Sequence, residues 1–126
     1  MLTYAKGSRA ERELIHFFTG HGYSVIRAAG SGVNSLSPDL LLFKRGNQYA
    51  VEAKAHETEN LGLDREQFLG LKKWEENSGI TTLVGWRRNN EEWLFLPLSV
   101  FNENEKSFTL NWERAQMVGR KKEELI

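Results

Sequence analysis

Three charged residues between positions 39 and 54 stand in otherwise apolar parts of the chain. Glu52 and Lys54 lie in the run Tyr-Ala-Val-Glu-Ala-Lys. Side chains alternate along a strand, so these two project to the same face, about 6.6 Å apart. Asp39 opens the apolar run Leu-Leu-Leu-Phe, although aspartate is a poor strand former and is costly to bury unpaired. Taken singly, Asp39 also suits a turn after Ser37-Pro38, and an isolated Glu-x-Lys also suits an exposed ion pair.

Glu11 is a third acidic residue in an unexpected place. In the helix predicted for 8–18, positions 11, 14, 15 and 18 share one face. Glu11 therefore belongs to the apolar stripe of Leu14, Ile15 and Phe18, which is directed at the core. A boundary glutamate that reaches solvent near the positive end of the helix dipole is the alternative.

Together these residues form a specific pattern. A hairpin with Asp39 on one strand and Glu52 and Lys54 on the next brings two carboxylates and an ammonium to one sheet edge, and a packed first helix adds Glu11. Clustered carboxylates repel one another without a hard cation, and oxygen ligands suit Mg²⁺ or Mn²⁺. Such a site beside a lysine suits phosphodiester hydrolysis, in which the cation activates water and lysine positions the nucleophile or stabilises developing charge.

The elements that position these residues follow from apolar periodicity and turn residues. One helix is predicted at 8–18, and a second opens within 63–66, with Asp64 as N-cap, and runs to about 77. Strands are predicted at 23–29, 39–43, 48–55, 80–86 and 92–96. The pattern further predicts a short edge strand at 108–110, a helix capped by Asn111 through Met117, and a frayed tail at 120–124. The order α-β-β-β-α-β-β predicts an α/β fold, a mixed sheet flanked by helices.

Composition limits the kind of protein. The 126 residues, 40% of them apolar, predict one domain over 1–126, with its core in 1–97 and the edge strand, short helix and charged tail in 98–126. The absence of cysteine excludes disulfides and a thiolate nucleophile. We expect no membrane segment and no secretory signal, which is compatible with a cytoplasmic protein. With 17 basic and 17 acidic residues, a phosphate-binding surface requires local segregation of charge.

Pro38-Asp39 followed by Glu52-Ala53-Lys54 after a hairpin-length gap resembles the signature of the PD-(D/E)XK nuclease superfamily. More narrowly, the chain resembles the archaeal-type Holliday junction resolvases. The segments that carry this resemblance are Lys-Gly-Ser-Arg-Ala-Glu-Arg-Glu-Leu at 6–14, Val-Ile-Arg-Ala-Ala-Gly-Ser-Gly at 25–32, Ser-Pro-Asp at 37–39 and Val-Glu-Ala-Lys at 51–54. The resemblance runs from about Lys6 to Pro97 and implies a restriction-endonuclease-like fold.

The resemblance also implies roles for individual residues. Glu11, Asp39 and Glu52 bind or organise the metal together with the carbonyl of Ala53, and Lys54 completes catalysis. Ser31 belongs to a loop brought toward the scissile phosphate. Gln67 matches a position that supports the metal site, with a solvent-facing glutamine as the alternative.

Contacts with DNA are expected from one basic face of the molecule. Arg27 stands beside a glycine-rich segment whose backbone can approach phosphates closely. The predicted DNA-binding set is Lys6, Arg9, Arg12, Arg27, Gly30 and Ser31. The resemblance implies that Arg12 and Arg27 correspond to basic residues associated with junction binding or catalysis. Lys44-Arg45 and Arg87-Arg88 are interpreted first as solvated turn charges and only second as DNA contacts.

The function implied by the resemblance is a Mg²⁺-dependent, structure-selective endonuclease that acts as a homodimer on four-way DNA junctions in recombination and repair. One alternative is another nuclease of the superfamily that cuts ordinary duplex DNA. The other is a non-catalytic DNA-binding dimer of the same fold.

Overall fold

The computed structural model describes the backbone of residues 2–28 and 37–126 and the side chains of residues 9–28 and 37–126. The elements, in chain order, are α1 (Leu2–Gly20), β1 (Ser24–Arg27), β2 (Leu40–Lys44), β3 (Asn47–Ala55), β4 (Asn60–Asp64), α2 (Arg65–Ser78), β5 (Thr81–Arg87), β6 (Leu94–Pro97), β7 (Asn102–Glu103), β8 (Ser107–Asn111) and α3 (Trp112–Val118). Short 3₁₀ turns follow β6 at Leu98–Val100 and α3 at Lys122–Leu125.

The main sheet has five strands in the order β1-β2-β3-β5-β6. The β1–β2, β2–β3 and β5–β6 pairs are antiparallel, whereas β3 and β5 are parallel. The connection between these parallel strands passes through β4 and α2, because parallel neighbours need a long crossover. The predicted mixed α/β sheet flanked by helices is confirmed.

Two hydrophobic clusters cover the two faces of this sheet. Leu14 and Phe18 of α1 pack on one face with Leu83 of β5. Phe68 of α2 packs on the other face with Val84 of β5. Because neighbouring side chains in a strand point to opposite faces, α1 and α2 lie on opposite sides of the sheet.

A second sheet, with the order β4-β8-β7, differs from the prediction. The segment predicted as an edge strand at 108–110 is the central strand, β8, so that prediction is wrong. The predicted elements do not include β4, because its sequence Asn-Leu-Gly-Leu-Asp combines an alternating apolar pattern with residues typical of turns. Leu61 and Leu63 of β4 and Phe108 of β8 are buried against α2.

The last residues are packed, so the predicted frayed tail is also wrong. Arg120 forms an isolated bridge with Phe95 of β6, through backbone hydrogen bonds of 2.8 and 2.9 Å. Leu125 is buried among the side chains that α1 covers, and its carbonyl accepts a hydrogen bond from the Tyr23 hydroxyl. The sequence predicted fraying because residues 120–124 are all charged, and Leu125, the apolar residue directly after them, is the one that is buried.

The helix ends agree in part with the prediction. Asn111 caps α3, since its Oδ1 accepts a hydrogen bond from the Arg114 amide at 2.7 Å. Asp64 stands at the N-cap of α2 without a side-chain capping bond. Gly79 ends α2 in the left-handed conformation with φ 72°, as glycine commonly does at this position.

Within the described ranges, no helix is long and apolar enough to span a bilayer.

Candidate active site

Asp39 links the first three strands of the main sheet. Its Oδ2 accepts a hydrogen bond from the Ala53 amide of β3 at 2.9 Å. Its own carbonyl accepts one from the Ala28 amide, just beyond β1, at 2.8 Å. The carboxylate is therefore fixed beside the Glu-Ala-Lys segment, where the sequence pattern placed it.

Glu52 is a buried carboxylate in the middle of the site. The residue is only 7% exposed, and its Oε2 accepts a hydrogen bond from Gln67 Nε2 at 2.8 Å. Lys54 Nζ lies 3.7 Å from the same oxygen. The prediction that Glu52 and Lys54 share one face of the strand is confirmed by this contact.

Gln67 connects the catalytic candidates to α2. Its Nε2 donates to Glu52, and its Oε1 lies 3.4 Å from Lys54 Nζ, so one amide contacts both charged groups. The solvent-facing alternative for Gln67 is wrong, because the side chain points at the strand. Its position follows from Phe68 and Leu71, which anchor this part of α2 in the core.

Glu11 approaches the site from α1, which lies on the opposite side of the sheet from α2. Its Oε1 accepts a hydrogen bond from Arg27 Nε at 2.8 Å, and its side chain is 20% exposed. Glu52 and Lys54 point to the α2 side of the sheet, whereas α1 covers the other side. Glu11 therefore meets the site at the sheet edge, where Arg27 ends β1.

In the absence of a cation, the ionised forms of Asp39 and Glu52 are disfavoured. Burial raises the pKa of Glu52 to about 8, and the negative charge of Asp39 adds to this effect more than Lys54 opposes it. Burial likewise raises the pKa of Asp39, against the lowering effect of the Ala53 amide. The charge of Glu11 raises the pKa of both groups.

This donor set fits a hard divalent cation. Asp39 and Glu52 offer oxygens only, and a cation there would remove the repulsion that raises their pKa values. Among the side chains of residues 9–28 and 37–126, no three His, Cys, Asp or Glu groups are already arranged to hold a metal. The inclusion of Glu11 in the ligand set therefore stays a prediction, as does the Ala53 carbonyl.

The remaining predicted residues fall into two groups. Arg9 and Arg12 of α1 line a cleft beside the site, and Arg27 is 55% exposed next to Glu11. Gly30, Ser31 and the side chain of Lys6 lie outside the described residues, so their predicted roles stay predictions.

Arg87 and Arg88 are closer to the site than their interpretation as turn charges implies. Both line the same cleft as Arg9 and Arg12. The parallel register, in which Ala55 pairs with Arg87, places them at the end of β5 next to Lys54. Two consecutive arginines at the end of a strand that neighbours the Glu-x-Lys strand were the signal available in the sequence.

Comparison with known proteins gives the family. The model of the archaeal Holliday junction resolvase (Hjc) family matches residues 2–123. The chain belongs to this family. The resemblance inferred from the four sequence segments is thereby confirmed, and the site residues described above lie within the matched range.

Curated relatives of the family agree. The chain is 28% identical over 108 residues to the crossover junction endodeoxyribonuclease Hjc of Archaeoglobus fulgidus, covering 85% of this chain and 79% of that protein. It is 33% identical over 88 residues to the protein of the same name from Sulfolobus acidocaldarius, covering 68% of this chain and 62% of that protein.

Solved structures agree on the fold of the Hjc family. The Archaeoglobus fulgidus Hjc structure superimposes with a TM-score of 0.84 at 24% identity, covering 95% of this chain and 94% of that one. A bacterial homing endonuclease gives a TM-score of 0.53 at 18% identity, covering 86% of this chain and 75% of that one. The predicted restriction-endonuclease-like fold is confirmed.

Replacement of Gln67 tests whether its amide positions Glu52 and Lys54. We expect Gln67→Ala to slow cleavage of a four-way junction about 10- to 100-fold, as for the loss of a group that orients a metal ligand. Junction affinity should stay within about twofold of wild type, because the amide of Gln67 is engaged by the two charged groups and carries no charge for a phosphate. Gln116→Ala, an exposed change on α3, is the matched control. Wild-type cleavage rates for Gln67→Ala at saturating Mg²⁺ would remove this role.

Proposed function

We propose that the protein is a Mg²⁺-dependent endonuclease that cleaves four-way DNA junctions. The observation that carries the proposal is the convergence of Asp39, Glu52 and Lys54 at one end of the β2–β3 pair. The Hjc family match, which spans this site, and the curated relatives named as crossover junction endodeoxyribonucleases support the choice of substrate.

The chain's own groups have distinct tasks in this reaction. Asp39 and Glu52, with the Ala53 carbonyl and Glu11, would hold the cation, which supplies charge neutralisation and activation of water when bound. Lys54 is within 3.7 Å of Glu52, so its ammonium can orient the attacking water or stabilise charge on the phosphate. Gln67 holds both groups in place.

The proposal includes a homodimer. A four-way junction has near two-fold symmetry, and its resolution needs a nick in each of two strands. An isologous dimer presents two active sites related by the same symmetry. Selectivity then depends on the spacing of two basic surfaces and on junction shape, with little base readout. Action on chromosomal DNA in the cytoplasm belongs to the same proposal.

The decisive assay uses a labelled immobile junction, Mg²⁺ and an excess of linear duplex competitor. Paired, symmetric nicks in the junction support the proposal. Equal cleavage of the linear duplex would favour a duplex-cutting nuclease of the superfamily instead. Binding without cleavage under all divalent-cation conditions would favour a non-catalytic DNA-binding dimer.

The raised pKa of Glu52 predicts how pH and Mg²⁺ affect stability. Without metal, between the ordinary pKa of 4.5 and the folded-state value of about 8, the folded chain keeps a proton that the unfolded chain releases. The free energy of unfolding therefore falls as pH rises through this window, and the loss is complete above it. Because Mg²⁺ binds the ionised form, we expect it to raise the melting temperature more at about pH 8.5 than at about pH 6.

Thermal unfolding of the wild type and Glu52→Gln, with and without Mg²⁺, checks this expectation. The glutamine keeps an acceptor for Gln67 but carries no charge, so in the variant both the pH-dependent loss and the effect of Mg²⁺ should shrink. Identical pH profiles for the two proteins would contradict the assignment of the raised pKa to Glu52.

A further inference from the structure

A cleft of about 530 Å³ opens beside the candidate active site, on the α1 side of the sheet. One wall is α1, and the other is formed by the ends of β3 and β5 and the segments that follow them. Its lining residues are Arg9, Ala10, Arg12, Glu13, Ala55, Glu57, Arg87, Arg88 and Asn89. Four arginines against two glutamates give the cleft an excess of positive charge in a chain of zero net charge.

Two of these arginines are held in fixed orientations. The Arg88 guanidinium lies 4.9 Å from the centre of the Trp112 ring and 3.4 Å from Glu59. Arg87 pairs with Glu13 of α1, which also accepts a hydrogen bond from Trp93 Nε1 at 3.1 Å. The side chains of Arg88 and Arg87 are 26% and 34% exposed, so each guanidinium is partly desolvated and already oriented before any ligand binds.

The segment after β5 also presents a backbone donor occupied by an anionic group. The backbone N–H of Asn89 donates hydrogen bonds to both carboxylate oxygens of Glu57, at N···O distances of 2.9 and 3.0 Å. Backbone N–H groups near arginine side chains are a common arrangement for phosphate oxygens. The Glu57 carboxylate therefore stands where an oxygen of a phosphodiester could bind.

The cleft and the active site share one end of the sheet. Lys54 pairs in register with Trp86, and Ala55, which lines the cleft, pairs with Arg87. Lys54 and Ala55 point to opposite faces, so a DNA strand lying across this end of β3 and β5 meets the catalytic groups and the Arg88 guanidinium, which lies over Trp112, on the α2 side. It meets Arg87, which pairs with Glu13 of α1, on the other side.

We propose that this cleft is a phosphate-binding subsite for the DNA strand next to the cleaved bond, and that Glu57 occupies the phosphate position until DNA displaces it. This inference rests on the proposed function, because it assigns the ligand as a DNA phosphodiester. It predicts opposite effects for two neighbouring residues. Loss of the Glu57 charge strengthens binding, and loss of the Arg88 charge weakens it.

Fluorescence anisotropy with a labelled four-way junction in EDTA, at several salt concentrations, measures binding apart from cleavage. Arg88→Gln should weaken binding about 5- to 10-fold at about 0.1 M salt and reduce the slope of log K against log[salt] by about 1. Arg45→Gln is the matched control, because Arg45 lies in the β2–β3 turn at the opposite end of the sheet. It should leave both quantities near wild type.

The control for Glu57→Gln is Glu76→Gln, which removes the same charge from an exposed position on α2. Glu57→Gln should tighten junction binding at least about 3-fold more than this control does. Equal effects of the two glutamate variants, or a wild-type salt slope for Arg88→Gln, would overturn the subsite. If the wild type nevertheless cleaves junctions, the proposed function stands without it. A wild type that binds no junction would overturn both.

Discussion

Glu52→Gln is expected to bind a four-way junction with near wild-type affinity and to cleave it at least about 10³-fold more slowly. Glu52 is 7% exposed and lies beside Lys54 and Gln67, so the change removes one charge from the centre of the site with little change of shape. A cation that loses a carboxylate ligand is bound more weakly and neutralises less charge in the transition state. Several kcal/mol of transition-state stabilisation correspond to this factor.

Asp39→Asn should give the same separation of binding from cleavage. The asparagine can still accept the Ala53 amide through its oxygen, so the β2–β3 contact is kept while the charge is lost. Single-turnover cleavage with Mg²⁺, and anisotropy in EDTA, measure the two properties separately. Glu76→Gln on the exposed side of α2 is the control for loss of a carboxylate. Full cleavage by both active-site variants would remove the proposed metal roles.

The second large effect is expected for Lys54→Gln, which should lower the cleavage rate about 10²- to 10³-fold. This is the usual cost of removing one oriented group that stabilises charge in the transition state. Lys54 Nζ contacts both Glu52 and Gln67, which fix its direction toward the proposed metal site. The ammonium also lowers the pKa of Glu52, so its loss should shift the rising limb of the pH–rate profile to higher pH.

The pH–rate profile separates this role from a purely structural one. Lys73→Gln, an exposed change on α2, should keep the wild-type rate and profile. A slow Lys54→Gln variant with an unshifted profile would mean that the lysine does not act on the ionisation of Glu52. An unchanged rate would exclude Lys54 from catalysis altogether.

The local parts of the site could be predicted because strand geometry dictates them. Alternation along β3 places Glu52 and Lys54 on one face, and a hairpin-length gap brings Asp39 to the neighbouring strand. The prediction that Glu11 is directed toward the sheet agrees with its place at the sheet edge, but its approach from the opposite face could not be foreseen. Sequence periodicity shows which residues of α1 face the sheet, and it does not show which face of the sheet α1 covers.

The non-local parts could not be predicted for a related reason. The partner of β4 is β8, so a run of Asn, Gly and Asp with two leucines became a strand only through pairing with a segment distant in sequence. The buried Leu125 lies among charged neighbours, and its contact with Tyr23 joins the last turn of the chain to the segment that follows α1. The cleft likewise depends on the parallel register of β3 and β5, which no short motif specifies.

The crossover between β3 and β5 affects when the site is completed during folding. Asp39, Glu52 and Lys54 come together with the β2–β3 hairpin, which is local in sequence, whereas Gln67 arrives only with the docking of α2. Parallel pairing is long-range and forms slowly compared with a hairpin. We therefore expect the Asp39 and Glu52 carboxylates to come together before the Gln67 amide docks, so that hydrolytic competence coincides with the last cooperative step of folding.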